Sequence, residues 1–205
     1  MNEETKKKIY SARCIGNVEP IEYMIPYPSM RSLIEGQNIK YANQIIIEKP
    51  ALTNLEFYIL VQQTANWLEK MGLKAKEKII LPELEYPETE ILLYGIWQLG
   101  AIGVICGPNN AQKIQQRINN STVINNNINL FETIKKFPKK YNPKYKPLLD
   151  DEALVTFEKN DGIKLSHYNL LVNSYGIQKA INLKSRTRYY CNLKPRSTIW
   201  VVFKV

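Results

Sequence analysis

The chain has 205 residues, is 44% hydrophobic and 23% charged, and carries a formal charge of +9. That length and balance suffice to bury a core, and they exclude a chain that is disordered over most of its length. Three scattered cysteines (Cys14, Cys106, Cys191) and one histidine indicate neither a disulfide framework nor a zinc or His-based metal cluster.

The positive charge favours anionic partners in general, such as a nucleotide, coenzyme A, nucleic acid or an acidic membrane face. Its lysines are scattered or gathered in the proline-broken stretch Lys135–Lys146. With Tyr141 and Tyr145 that stretch has the basic–aromatic mixture of a nucleic-acid-binding segment, but it is short, so a linker is preferred and nucleic acid is not expected. The first ten residues, MNEETKKKIY, have no apolar core of a signal peptide, and no run reaches the ~18 apolar residues of a membrane span. A reducing cytoplasm is the expected compartment.

Residues 1–28 read as an irregular lead-in, polar and then rich in Pro and Tyr. Ser29 caps a predicted helix that carries Met30, Leu33, Ile34 and Tyr41 on one side. Gln44–Glu48 is a β-branched run read as a strand that Pro50 ends. Thr53 and Glu56 make a T-x-x-E capping box, followed by Leu55, Ile59, Gln62, Ala65 and Leu68 at helical spacing and a stop at Gly72. Lys78–Leu81 is a short strand closed by Pro82. Pro87 suits the first turn of a second helix, with Glu88 and Glu90 near its positive end and Gly100 as its stop. Ala101–Cys106 is apolar without alternation, as in a parallel strand covered on both faces, which also makes Cys106 a core thiol.

A weaker third round follows. It has a helix over Ala111–Asn120, a strand over Thr122–Ile124, an Asn-rich loop and a short helix to Phe137. Residues 138–150 read as a proline- and lysine-rich linker. From Asp150 the sequence DDEALVTFEKNDGIKLSHYNLL reads as a strand (Ala153–Phe157), a polar turn (Glu158–Gly162), and a helix that opens near Ser166. Lys184–Arg188 is a basic turn, Tyr189–Leu193 a strand, and Thr198–Val205 an apolar run expected to continue into more core or to meet a protein partner. Short connections between alternating helices and strands predict right-handed βαβ units, hence an α/β fold with a layered, parallel-type sheet and flanking helices. The expected organisation is the lead-in 1–28, an α/β subdomain 29–137, a linker 138–150, and the start of a second α/β segment 151–205, cut short.

Two blocks resemble the N-terminal part of the adenylate-forming superfamily, which includes acyl-CoA synthetases and peptide-synthetase adenylation domains. The first is residues 52–110, LTNLEFYILVQQTANWLEKMGL through GAIGVICGPNN. Glu56, Ala65, Asn66, Leu68, Gly72, Pro87, Glu88, Gly100, Ala101 and Asn109 follow that family's progression. The second is residues 150–173, similar to a stretch that begins D-x-A-x-I-x-Y-T-S-G-T-T-G-x-P-K-G and ends L-T-H-x-N-L. The resemblance implies ATP/AMP and Mg as cofactors, a loop that wraps the phosphates, and the reaction of a carboxylate with ATP to an acyl-adenylate, then a thioester.

Carried over residue by residue, the loop's remnants are Thr156, Lys159, Gly162 and His167. The T-S-G-T-T-G core has no counterpart, and Asp161 stands where the family has its lysine. An unlike-charge contact of ~4 Å at an effective dielectric of ~20 is worth roughly 4 kcal/mol, and a like-charge contact costs as much. The expectation is a truncated relative that has lost ATP binding and activity, with no catalytic or metal-ligating residue to assign. The alternative is a non-catalytic module or split subunit pairing with a ligase partner. At the first turn of a helix, His167 favours a structural role over a phosphate contact. The glutamates 83, 85, 88 and 90 favour a solvated edge over a metal cluster, and Trp67 and Trp97 favour the core.

Overall fold

The structure is a computed structural model that describes residues 4, 25–107, 110–158, 161–184, 187–195, 197 and 199–204. Most of the lead-in, Cys14, Asn109 and Lys159 lie outside the described residues.

Helix α1 (Met30–Tyr41) starts at Ser29, whose hydroxyl accepts from the Ser32 amide. A small antiparallel hairpin follows, β1 (Ile45–Glu48) and β2 (Ala51–Thr53). Pro50 therefore sits in a turn and does not end the extended structure: the chain doubles back through a second strand that three residues are too few to announce. Helix α2 (Asn54–Lys70) opens on the expected capping box. The Thr53 hydroxyl accepts from the Glu56 amide at 3.2 Å, and the Glu56 carboxylate accepts from the Thr53 amide at 2.8 Å.

Strand β3 (Lys78–Leu81), helix α3 (Glu88–Leu99) and strand β4 (Ile102–Ile105) form the first βαβ unit. Gly100 ends α3 at φ +83°, a conformation that costs a side-chain-bearing residue and not glycine. Helix α4 (Ala111–Arg117) is shorter than the periodicity suggests, because Asn120 adopts the left-handed conformation (φ +55°) just before β5 (Ser121–Val123). Helix α5 (Leu130–Ile134) follows.

The central sheet has the order β5-β3-β4-β6-β7, with β6 (Glu152–Glu158) parallel to β4 and β7 (Asp161–Ser166) antiparallel to β6. Helix α6 (His167–Ala180) and a short α7 (Trp200–Lys204) complete the fold. It is a layered α/β fold with a mostly parallel sheet, as the alternation of elements requires.

Alternation within the strands divides the core in two. Ile79, Leu81, Ile105 and Leu154 face the larger side, where Met30, Val61, Ala65, Leu68, Ile91, Leu92, Trp97 and Leu170 pack. Ile80, Ile102, Val104 and Val155 face the thinner side, covered by Ile114 of α4 with Cys106 beside it. Helices α2 and α3 cross closely at Gly95, where an added Cβ would lie 2.6 Å from the Thr64 Cβ. Trp97 reaches from α3 under the sheet and donates its indole N–H to the Ala153 carbonyl at 2.8 Å.

Residues 138–150 form neither helix nor strand. They run as a strap along α2, which hydrogen-bonds the strap backbone with three side chains. Gln63 donates to the Phe137 carbonyl, Asn66 to those of Pro138 and Lys140, and Gln62 accepts from the Tyr141 amide. Tyr141 is buried, and burial beside Glu69 pushes its phenol up to about 12. The aromatic half of the basic–aromatic pattern is thus spent on packing.

One further expectation is corrected, and the apolar run near the end takes a defined form. Tyr189–Leu193 is not a strand: among the described residues it has no ladder partner. The apolar run near the end contributes a helical turn, with Trp200 and Val201 buried in the larger core and Ile199 half exposed.

Candidate functional site

The stretch with the chemistry-bearing motif folds differently from the strand–turn–helix expected. Strand β6 turns back at once: Glu158 pairs with Asp161, Phe157 with Gly162, Thr156 with Ile163 and Val155 with Lys164. Two residues, 159 and 160, connect the strands. What looked like a polar turn and a basic step is mostly β7, because Ile163 and Leu165 alternate with Gly162 and Lys164 at the strand period of two. Helix α6 then begins at Ser166. Its hydroxyl accepts from the Asn169 amide at 3.2 Å, and the Asn169 side chain accepts from the Ser166 amide at 3.0 Å, a capping box with Asn in the third position.

The four candidate residues do not converge. Thr156 is buried within β6. Gly162 sits in β7 with an ordinary strand backbone, and its nearest neighbour for an added Cβ is the Phe157 ring edge at 3.2 Å. Lys159 lies outside the described residues. His167 is at the opposite end of β7, beyond Ser166. Asp161 is exposed at the hairpin end. Lys164, which pairs with Val155 across the hairpin, leans toward Glu152 at 3.9 Å and is two-thirds exposed.

His167 is 2% exposed and belongs to a ring of hydrogen bonds. Its Nδ1 accepts from the Met30 amide, the first of α1, at 3.2 Å, so the neutral ring carries its proton on Nε2. Its own amide donates to the Asp151 carbonyl at 3.1 Å. The Asp151 carboxylate accepts from the Tyr145 hydroxyl at 2.5 Å and the Leu148 amide at 2.8 Å, with Lys76 Nζ at 3.6 Å. Arg31, next to Met30, closes the ring by donating to the Tyr145 carbonyl at 2.6 Å.

The electrostatics follow from that geometry. Burial disfavours the imidazolium and pushes His167 down to about 4; Asp151 opposes this and Arg31 adds to it. Burial alone would raise the Asp151 carboxyl, but the Leu148 amide, the Tyr145 hydroxyl and Lys76 together hold it below its usual value. Periodicity and motif reading miss this ring, because its members lie at positions 30, 31, 145, 151 and 167 and nothing local links them. The buried histidine is the one member whose structural role its place at a helix start favoured.

The acidic positions 83–90 are dispersed. Glu88 is raised by burial and takes opposing stabilisation from the Leu130 and Phe131 amides, whereas Glu83 approaches Lys194 at 4.0 Å. Among the described residues no group of three or more His, Cys, Asp or Glu side chains could hold a metal ion.

Comparison with solved structures decides the fold. The fatty acyl-adenylate ligase from L. pneumophila, solved with acyl adenylate and pyrophosphate, superposes with a TM-score of 0.71 at 17% identity, over 85% of this chain and 37% of that one. The fold is that of the N-terminal subdomain of adenylate-forming enzymes. The o-succinylbenzoate CoA synthetase MenE from Bacillus subtilis gives 0.69 at 12% identity, over 82% and 50% of the two chains. The Klebsiella oxytoca NpsA N-terminal subdomain gives 0.59 at 12%, over 72% and 44%. The chain thus spans half or less of the length of these solved chains, and at such identities the likeness is one of fold. No family profile and no curated protein matches the chain.

Proposed function

We propose that this chain is a relative of AMP-forming acyl-CoA ligases whose phosphate-wrapping element has been lost, so that it holds the subdomain fold without making an acyl-adenylate itself. One observation carries the reading: the register of β6 on β7 leaves two residues to connect them. A loop that cradles a triphosphate presents several unpaired backbone N–H groups to the oxygens. Here the residues following the connection are committed to the β6 ladder.

The side chains point the same way. A triphosphate meets the exposed carboxylate of Asp161 where the related loop has a cation, and the Thr156 hydroxyl lies in a buried strand. The residues present do not fit ATP with its Mg. The fatty acyl-adenylate ligase was solved with acyl adenylate and pyrophosphate and MenE with its acyl-adenylate intermediate, and that chemistry is the ancestry proposed for this chain. Free thiols at Cys106 and Cys191 suit a reducing cytoplasm.

The test is an ATP–pyrophosphate exchange assay on the purified chain over a panel of aliphatic and aromatic carboxylates, beside equilibrium dialysis with Mg·ATP. The expected result is no carboxylate-dependent exchange and no saturable ATP binding at millimolar concentration. Robust exchange overturns the reading.

A second reading, a non-catalytic subunit that pairs with a ligase partner, draws on the apolar surface late in the chain. Tyr190 is 90% exposed and Ile199 50% exposed, although Trp200 and Val201 are buried. Light scattering of the purified chain, alone and mixed with a candidate ligase, tests it. A monomer in both conditions removes it.

A further inference from the structure

The hydrogen-bond ring around His167 joins the starts of two helices that are 137 residues apart in sequence. We propose that the contact of His167 with Met30 is an acid-labile clasp: protonation of the imidazole at Nδ1 releases α1 from the start of α6 while the sheet stays folded.

The geometry assigns this role to one nitrogen. Nδ1 accepts the Met30 N–H at 3.2 Å, and a proton placed there turns the acceptor into a donor facing another donor. Nothing compensates the Met30 amide from within its own helix, since it is one of the N-terminal amides that no helical carbonyl reaches. The new imidazolium also stands near the Arg31 guanidinium of the same helix, so the repulsion acts on the element to be released.

The charged groups around the ring come from each neighbouring element. Arg31 lies on α1, with Glu35 at 3.7 Å from its Nε. Asp151 and Tyr145 lie on the strap and its end, and Lys76 approaches from the turn after α2. Asp151 attracts the added proton, but its carboxylate is already engaged by Tyr145, Leu148 and Lys76, and it contacts His167 through its backbone carbonyl. Burial of the ring holds it neutral at ordinary pH and places the release on the acid side.

What holds α1 apart from the clasp is modest. Met30, Arg31 and Ile34 are its buried residues, and its far half, to Tyr41, is half-buried or exposed. The β3–β4 pair, by contrast, is buried along nearly its whole length, and its one described ion pair, Lys78 with Glu152 at 3.9 Å, sits half-buried at the start of β3. Acid therefore acts on the helix before it acts on the sheet.

The chain has one histidine, so its imidazole resonances are unambiguous in an NMR titration. Amide hydrogen exchange followed between pH 7 and 4.5 reads α1 and β3–β4 separately, as protection factors corrected for intrinsic exchange. The expected result is a histidine midpoint far below that of a free imidazole. With it, protection of the α1 amides should fall about 40-fold as pH drops from 6.5 to 4.5, through a local opening that low urea barely accelerates, whereas the β3–β4 amides should stay better protected at every pH and exchange only through the urea-sensitive global unfolding. In His167→Gln, which offers a non-titrating acceptor, α1 protection should be flat over the same range. Should that variant fail to fold, the wild-type titration decides alone. A midpoint near the free value, or α1 amides that exchange only together with β3–β4 through the urea-sensitive global unfolding, overturns the clasp.

Discussion

Two strand-and-helix units of this chain, β3–α3–β4 and β6–β7–α6, are both held in one sheet, yet they are held by different physics. The first is apolar throughout. Helix α3 is buried over nearly all its residues, Gly100 sets its stop, and Trp97 anchors it across the core. The second has a single well-buried strand, an exposed partner strand and a helix whose start is fixed by polar contacts. Hydrophobic burial ties a unit down whatever the pH, whereas a hydrogen-bond ring with a titratable member does so only over the range in which that member stays neutral.

The largest expected effect tests the apolar side. Trp97→Ala removes a fully buried side chain and leaves the Ala153 carbonyl without its donor, so a loss of about 3–5 kcal/mol is expected, read as a fall in the urea midpoint. A loss below about 1 kcal/mol would mean that the first unit is not anchored where its geometry says.

The polar side is tested by pH. The folded value of His167, about 4, lies below the ordinary 6.5, so the unfolded chain takes up the proton first. Stability from this group is complete above about pH 6.5 and is lost as pH falls toward 4, in total roughly 3 kcal/mol. Asp151, held below its usual value, contributes stability that is lost only at still lower pH. Urea midpoints of the wild type and His167→Gln between pH 7 and 4.5 separate the histidine from the carboxylates; identical slopes would remove His167 from the account.

Glycines then sharpen the contrast. Gly95 sits where α2 and α3 cross, and Gly95→Ala forces a Cβ against Thr64, costing about 1–3 kcal/mol by thermal melting. Gly162 is the position a phosphate loop would need open, but in β7 it meets only the movable Phe157 ring. Gly162→Ala should be neutral or stabilising by up to about 1 kcal/mol. A comparable penalty at both positions would indicate that the β6–β7 connection is more tightly built than its exposure suggests.

Legibility in the sequence divides along the same line. Capping at Thr53–Glu56, the stops at Gly72 and Gly100, and the buried run Ala101–Cys106 declare themselves locally, since each is set within four or five residues of chain. The β6–β7 hairpin does not. DGIKLS is too polar for a buried strand, and it is extended because β6 offers it a ladder. Likewise Tyr189–Leu193 has strand-like composition but no ladder partner among the described residues, and so is not a strand.

What the sequence determined by itself is the α/β class, the capped helices and the absence of a Gly/Ser/Thr loop after Thr156, because these depend on residue type and near-neighbour spacing. Tertiary structure alone decided that Asp161–Ser166 pairs back on β6, that residues 138–150 are strapped to α2, and that His167 meets Met30. Those contacts join positions far apart in the chain, and the burial that shifts a histidine or completes a sheet edge is created only when the distant segments come together.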